Sequence, residues 1–162
     1  MPGVVSGHVR LRDAEGSHDV ATTRALFEEY AAALGVDLCF QGFAEELASL
    51  PGAYASPRGC LLLAERDAPV GCVALRPLAA GIGEVKRLYV RPSARGEGVG
   101  ALLARAIIER ARTCGYRELK LDTLPTMTAA HALYASLGFR RCAPYYDNPL
   151  PGVTYMSLAL SA

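Results

Sequence analysis

The glycine-rich segment at residues 95–101 constrains the fold most strongly, because it joins a strand pattern to the clearest helix pattern of the chain. Residues 84–90 precede it as a predicted strand, and residues 99–114 follow it as a predicted helix. Glycine tolerates positive φ and lets a ligand approach the backbone, and a helix start presents unpaired N–H groups at the positive end of its dipole. With Arg95 as a bidentate donor at its edge, the segment is typical of a site for a pyrophosphate group.

Other interpretations of this segment compete with that one. A P-loop requires a lysine directly after its glycines, and this chain has none there. A dinucleotide-binding fold is harder to dismiss, because residues 96–101 fit its Gly-x-Gly-x-x-Ala fingerprint and Asp122 is a candidate for its ribose-binding acid. Against it, the preceding strand carries Lys86 and Arg87, whereas a buried parallel strand is nearly all apolar. A tight strand-to-helix turn without a ligand is the purely structural alternative.

The remaining patterns predict a single α/β (α+β) domain with its core at about residues 8–160. Strands are predicted at residues 8–12, 60–65, 70–75, 84–90, 119–123, 139–142 and 153–160, and helices at 17–34, 43–50, 99–114 and 128–137. This order indicates a mixed, mainly antiparallel sheet of about seven strands flanked by four helices, with at least one β-α-β crossover. The apolar stripe of the helix at 99–114 is predicted to comprise Leu102, Leu103, Ala106, Ile107 and Ala111.

Charge and cysteine content exclude several classes of function. A formal charge of +1 gives no electrostatic reason to expect a nucleic-acid or membrane partner. The five cysteines form no Cys-x-x-Cys pair, so no metal site is expected, and Cys60, Cys72 and Cys114 are predicted to be small core side chains. Unpaired thiols without a secretory signal or a long apolar run favour a cytoplasmic location. The preference for arginine over lysine suggests a GC-rich, bacterial genome.

Two motifs resemble those of a known family. The stretch Leu88-Tyr89-Val90-x-Pro92-x-x-Arg95-Gly96-x-Gly98-Val99-Gly100 is similar to the acetyl-CoA motif of the GNAT superfamily of N-acetyltransferases. Some thirty residues later, Ala130-x-x-Leu133-Tyr134-x-x-x-Gly138-Phe139 resembles the second signature of that family. The two motifs occur in the right order and at the right spacing, and the resemblance extends over about residues 8–160.

The resemblance implies that acetyl-CoA is the co-substrate. The strand at 84–90 should separate from the strand at 119–123, so that backbone groups of the former pair with pantetheine, while N–H groups of the glycine segment hold the pyrophosphate. The implied cofactor-binding residues are Leu88, Tyr89, Val90, Arg95, Gly96, Glu97, Gly98, Val99, Gly100, Ala101, Thr126, Ala130 and Tyr134. One departure is Met127, which stands where the family often has a pantetheine-binding Asn. Thr126 or Thr128 is the candidate replacement, and a missing contact is the alternative.

The resemblance also implies the catalytic groups. Tyr134 occupies the position of the general acid that protonates the departing thiolate, and the pKa of a phenol is close to that of the thiol; a purely structural buried tyrosine is the alternative. Glu84 is the candidate base for the amine, against the alternative of an ordinary exposed strand glutamate. His131 lies one turn before Tyr134 and could relay a proton, but a solvated side chain is the favoured interpretation.

The acceptor site is expected between residues 36–54 and 144–149. Tyr145, Tyr146 and Asp147 are the predicted substrate-binding residues, because aromatic rings and a carboxylate suit a cationic amine; a rigid turn is the equally plain alternative. The predicted function is direct acetyl transfer to a primary amine of a small molecule or peptide, without a metal. A non-catalytic module that binds or senses acyl-CoA is the alternative. Homodimers are common among relatives, so one is an open expectation here.

Overall fold

The computed structural model describes residues 8–38 and 42–160. The strands are β1 (Arg10–Asp13), β2 (Cys60–Arg66), β3 (Ala68–Ala79), β4 (Ile82–Val90), β5 (Glu118–Thr123), β6 (Arg140–Cys142) and β7 (Thr154–Ala159). The helices are α1 (Gly16–Leu34), α2 (Phe43–Ser49), α3 (Val99–Thr113) and α4 (Thr128–Ser136), and short 3-10 turns lie at Gly52–Tyr54 and Pro92–Ala94. All predicted elements are present, with ends displaced by one or two residues except in β3, which extends to Ala79.

The described residues form one seven-stranded sheet, in the order β1-β2-β3-β4-β5-β7-β6. Every neighbouring pair is antiparallel except β4 and β5, which are parallel and connected through α3. This β4-α3-β5 unit is the predicted crossover, and the mixed, mainly antiparallel sheet with four helices confirms the predicted fold class. Among the described residues β4 and β5 are the only parallel pair, so the largely parallel sheet of a dinucleotide-binding fold is absent there, which excludes that alternative.

Apolar residues cover both faces of the sheet. Successive side chains of a strand point to opposite faces, and in β2 Leu61 and Leu63 belong to one apolar cluster while Leu62 belongs to the other. The cluster that contains Leu62 joins the sheet to α3 and α4, and the cluster that contains Leu61 and Leu63 joins it to α1 and to the turn at Tyr54. The sheet is therefore held between two helical layers. The C-terminal ends of β4 and β5 lie between these layers.

The stripe of α3 that faces the sheet follows the prediction in part. Leu103, Ile107 and Ala111 are buried as expected, but Leu102 is 42% exposed. The buried face turns slightly, so that Ala104 and Ile108 join it instead. A leucine at this one position on the surface is ordinary.

The end of β4 contains the feature that opens the sheet. Pairing between β4 and β5 covers only Ile82 to Glu84, so in the described residues β4 has no ladder partner in β5 beyond that point. On its other side β4 carries a bulge opposite β3, where Arg87 has φ of 62°. The two strands therefore separate, as predicted.

Lys86 and Arg87 are buried in β4, contrary to the sequence argument that charged residues mark a strand outside the core. Their relative exposures are 5% and 3%. Carboxylates compensate them: Lys86 Nζ lies 3.8 Å from Glu84, and Arg87 makes a two-pronged ion pair with Glu46 at 2.8 and 3.0 Å. Burial of a charge is tolerated when it is paired in this way.

The cysteines follow the prediction in part. Cys60 and Cys72 are buried, whereas Cys114 is only half-buried and lies against the Pro57 carbonyl. Burial raises the pKa of the Cys72 thiol well above its usual value, so this side chain is not a reactive nucleophile. Cys39 lies outside the described residues.

Candidate active site

A cleft of about 440 Å³ opens where β4 and β5 separate. This is the size of an ordinary small-molecule site. It is lined by Tyr30, Ala33, Leu34, Leu88, Tyr89, Val90, Ala94, Arg95, Gly96, Gly98, Val99, Gly100, Thr126, Met127, Thr128, Ala129, Ala130 and Leu133. Most of the residues predicted to bind the cofactor are therefore brought together on one surface. Glu97 and Ala101 are outside this lining, and Tyr134 lies in an adjoining cavity.

The glycine segment forms the N-terminal end of α3. Gly96 and Gly98 have φ of 80° and 83°, and no atom lies within 4 Å of a Cβ added at either position. Gly98 is the residue that precedes the helix, and its carbonyl accepts the N–H of Leu102. The N–H groups at the start of a helix have no partner within the helix, so those of the first turn of α3 are available to an anion at the cleft.

Side chains hold the ends of this segment. Arg95 donates from Nε to the Val90 carbonyl at 2.9 Å, and its guanidinium lies 5.8 Å from the centre of the Tyr89 ring. Glu97 is exposed and forms an ion pair with Arg66 of β2. Arg95 thus lines the cleft, whereas the Glu97 side chain is directed to the neighbouring strand, and only its backbone belongs to the predicted anion site.

A second, smaller cavity of about 30 Å³ adjoins the cleft, and Tyr30, Leu34, Leu88 and Met127 line both. Its other lining residues are Leu38, Val85, Lys86, Arg87, Asp122, Leu124, Tyr134 and Leu150. The volume is enough for a water molecule or for the end of a small group. Among the described residues, this cavity combines two phenols, two cations and one carboxylate beside the cleft.

Tyr134 projects from α4 into this cavity. The residue is 5% exposed, its ring packs edge-on against Phe139 at 5.3 Å, and its hydroxyl has no hydrogen-bond partner among the described residues. Burial, with smaller contributions from Tyr30 and Asp122, raises the pKa of this phenol well above its ordinary value. The hydroxyl is therefore protonated at neutral pH. From the sequence, the pKa of this phenol is expected to be close to that of a thiol. Burial raises it instead, so the hydroxyl is a weaker acid in the unliganded protein.

Glu84 lies in the sheet beside the cavity and does not line it. It is 2% exposed, which excludes the alternative of an exposed strand glutamate. Arg76 donates to Oε1 at 2.9 Å, Tyr145 donates to Oε2 at 2.6 Å, and Lys86 lies 3.8 Å from Oε2. Both carboxylate oxygens are engaged, so a role as base stays a prediction for this residue.

The predicted acceptor residues lie on the same side of the sheet as Glu84 and Asp122. The rings of Tyr145 and Tyr146 pack against each other and against Tyr155 at 5.3 to 5.7 Å, while Asp147 is exposed. Tyr145 donates its hydroxyl to Glu84, and Tyr146 donates to Asp122. These contacts favour a rigid aromatic turn that supports the cavity. Residues 39–41 of the other predicted wall lie outside the described residues.

Met127 stands at the position of the expected Asn, and its side chain makes contacts of its own there. Its sulfur accepts the backbone N–H of Leu124 at 3.3 Å and the side chain lines both the cleft and the cavity. Thr126 and Thr128 line the cleft, so the predicted replacements are at the right place. His131 is half-buried and belongs to neither lining.

Sequence reasoning missed the charged residues of the cavity. Lys86, Arg87 and Asp122 line it, whereas the sequence indicates Asp122 only as a candidate ribose-binding acid and the two cations only as evidence against a buried strand. The predicted separation of β4 and β5 is the signal that could have indicated Asp122. This residue lies two positions beyond Lys120, the last residue of β5 that pairs with β4. Among the described residues, no cluster of His, Cys, Asp and Glu suits a metal ion, and no helix there is long and apolar enough to cross a bilayer.

Comparison with known proteins agrees with this geometry. Residues 23–139 match the Acetyltransferase (GNAT) family. An uncharacterised N-acetyltransferase of Schizosaccharomyces pombe is 43% identical over 146 residues, which cover 88% of this chain and 90% of the relative. A putative acyl-CoA N-acyltransferase of Klebsiella pneumoniae superposes with a TM-score of 0.72 at 28% identity, covering 96% of this chain and 99% of the other.

A structure solved with acetyl-CoA has the same fold. It is yncA, a putative acetyltransferase of Salmonella typhimurium, which matches with a TM-score of 0.66 and 24% identity over 94% of both chains. The cleft between β4 and β5, with the glycine segment at the start of α3, is where the described chain offers room for such a molecule. Fold, motifs and relatives agree, and this chain belongs to the GNAT family of acetyltransferases and is an acyltransferase.

Proposed function

We propose that the chain transfers the acetyl group of acetyl-CoA to a primary amine of a small molecule or peptide, by direct attack within a ternary complex. The observation that carries the proposal is the contact between two spaces: the cleft beside the glycine segment adjoins the cavity that contains the Tyr134 hydroxyl. A long ligand in the cleft would place its reactive end beside that phenol. The amine would arrive from the side of Tyr145 and Tyr146.

Each end of the co-substrate has a complementary surface. The pyrophosphate would accept hydrogen bonds from N–H groups at the start of α3, where the helix dipole favours negative charge. Pantetheine would add to the edge of β4 at Leu88 and Val90, which line the cleft beyond the last pair with β5. A backbone N–H of the same segment would stabilise the oxyanion that forms on the acetyl carbonyl.

Tyr134 is the proposed acid. Its hydroxyl is protonated at neutral pH because burial raises its pKa, and it has no competing acceptor among the described residues. The proton would transfer as negative charge develops on the departing sulfur, which is the moment when an acid next to it is most useful. Direct transfer needs no acyl-enzyme, and the buried Cys72 thiol gives no reason to invoke one.

Thiol release from acetyl-CoA tests this proposal. We would supply amino acids, diamines, aromatic amines and a short lysine peptide to wild type, Tyr134→Phe and Tyr116→Phe. Tyr116 is a matched control, because its buried ring also carries a hydroxyl, which donates to the Arg58 carbonyl at 2.6 Å away from the cleft. Release with some amine that falls by about 100-fold or more in Tyr134→Phe alone supports the proposal. Acetyl-CoA binding without release for any amine contradicts it.

Location and assembly stay predictions. A cytoplasmic site and a homodimer are both compatible with a chain of this family, and cell fractionation and the mass measured by light scattering would test them. The bacterial origin suggested by arginine content also stays a prediction, since the relative from Schizosaccharomyces pombe is eukaryotic.

A further inference from the structure

In the part of the chain that the structure describes, Asp122 is the one carboxylate that lines the cavity beside Tyr134. It is half-buried on β5, two residues beyond Lys120, the last residue that pairs with β4. Its known hydrogen-bond donors are neutral: Tyr146 and Asn148 both reach Oδ2, the latter at 3.4 Å. Among the described residues no ion pair and no donor to Oδ1 is found. A carboxylate side chain thus lines the cavity with one oxygen available.

Glu84, the base predicted from the sequence, contrasts with Asp122 in each respect. It is outside the cavity lining, and its two oxygens already accept from Arg76 and Tyr145. Reaching an amine would require that one of these contacts break. Asp122 needs no such rearrangement.

From this contrast we infer that Asp122, rather than Glu84, receives the ammonium group of the acceptor and accepts its proton. The inference rests on the proposed acetyl transfer and assigns the base that this reaction requires. An acceptor arrives as an ammonium ion with its positive charge directed at Asp122. Because the cavity measures only about 30 Å³, it admits the amine end and little else, so the site favours an amine on an unbranched carbon.

The cavity itself makes the proton transfer easier. Lys86 shows what the site does to an ammonium group: burial lowers its pKa, and the neighbouring Arg87 and Arg76 add to this effect, while Glu84 and Asp122 oppose it. An acceptor ammonium beside Lys86 experiences the same loss of solvent and the same cations. The other groups facing Asp122 are phenols, which burial keeps protonated, on α1, α4, β7 and the preceding turn: Tyr30, Tyr134, Tyr155, Tyr145 and Tyr146.

The proton and electron balance is complete. Asp122 takes one proton from R–NH₃⁺ and releases it to solvent, and the nitrogen lone pair attacks the acetyl carbon. As the tetrahedral intermediate collapses, the C–N bond stays, the C–S bond breaks, and Tyr134 gives its proton to sulfur. The second proton lost by nitrogen restores the Tyr134 phenol. The products are the amide, CoA thiol and one proton.

The test compares Asp122→Asn with Asp122→Glu, Glu84→Gln and Glu118→Gln. Glu118 is a matched control on the same strand, four residues away and outside both linings. The substrate is the fastest amine of the thiol-release panel, and hydroxylamine is a second nucleophile that is already neutral at pH 7. Calorimetry with acetyl-CoA reports whether each variant keeps a folded cofactor site.

We expect Asp122→Asn to lower kcat/KM for the amine by about 100-fold near pH 7, with unchanged acetyl-CoA affinity and an unchanged rate with hydroxylamine. The loss should shrink as pH approaches the pKa of the amine, where the neutral form is abundant, and Asp122→Glu should recover part of it. A loss that is equal at all pH values and with hydroxylamine would overturn the inference, as would a pH-dependent loss confined to Glu84→Gln. If Tyr134→Phe is impaired while Asp122→Asn is normal, the inference fails and the proposed function stands; if wild type acetylates no amine, both fail.

Discussion

The hydroxyl of Tyr145 lies 2.6 Å from Oε2 of Glu84, although 61 residues separate them in the chain. The contact joins the turn before β7 to the first part of β4. Arg76 of β3 holds the other oxygen of Glu84 at 2.9 Å, so three parts of the sheet meet at one buried carboxylate. A buried charge of this kind stabilises a fold only while its donors are present.

Tyr145→Phe should therefore destabilise the protein. The substitution removes a hydrogen bond to a charged group that stays buried, and we expect a loss of about 2 kcal/mol in the free energy of unfolding. Tyr116→Phe removes a bond to a neutral carbonyl and should cost about 1 kcal/mol. Urea unfolding of the two variants at neutral pH provides the measurement. Equal losses would show that the hydrogen bond from Tyr145 to Glu84 contributes no more to stability than one to a neutral carbonyl.

Substitution in the glycine segment should separate stability from binding. Gly98 and Gly115 both have positive φ, 83° and 89°, and neither has an atom within 4 Å of an added Cβ. Alanine at either position should cost about 1 kcal/mol of stability, because an L-residue is strained in this conformation. Only Gly98 lines the cleft.

Acetyl-CoA titrations of the two alanine variants should thus differ. Gly98→Ala is expected to raise the Kd for acetyl-CoA, since the added methyl group and the altered backbone disturb the start of α3. Gly115→Ala, at the far end of the same helix, should bind as wild type does. Weaker binding in both variants would point to a general effect of helix stability instead.

The free energy of unfolding should fall at acid pH, in part because Asp19 becomes protonated. Arg12 donates to this buried carboxylate at 2.5 and 2.8 Å and the backbone N–H of Glu15 donates at 2.8 Å. The side-chain bond from Arg12, followed by the backbone bond, lowers the pKa of Asp19 well below its usual range. Because the pKa of Asp19 is lower in the folded protein than in the unfolded chain, its ionised form stabilises the fold. This stabilisation is complete above the pKa of the unfolded chain, about 4, and is lost as pH falls below that value towards the pKa of the folded protein.

Asp19→Asn should remove this contribution. The variant should be less stable than wild type at neutral pH, and the difference should narrow as pH falls from about 5 to 3. Glu28→Gln, on the exposed side of the same helix α1, should follow the wild-type dependence. Midpoints of urea unfolding at each pH give the comparison, and a difference that is constant with pH would rule out the assigned titration.

The sequence predicts the parts of this site that are encoded locally. The glycines at 96–100 and the helix that follows are a continuous signal, and Tyr134 is marked by a motif on its own helix. The charged cavity is not local: Arg87 is compensated by Glu46, 41 residues earlier, and a strand pattern cannot indicate a partner at that distance. Asp122 lines the cavity because β4 and β5 stop pairing after Glu84 and Lys120, and a local strand pattern cannot indicate where such pairing ends.

The most direct measurement follows the acetyl group itself. Protein is mixed with acetyl-CoA labelled in the acetyl carbon and the best amine of the panel, and label is then counted on the amine and on the protein for wild type and Tyr134→Phe. The account predicts label on the amine, none retained on the protein, and a much slower transfer in the variant. Binding of acetyl-CoA with no label reaching any amine would contradict it, and label held covalently on the protein would contradict direct transfer.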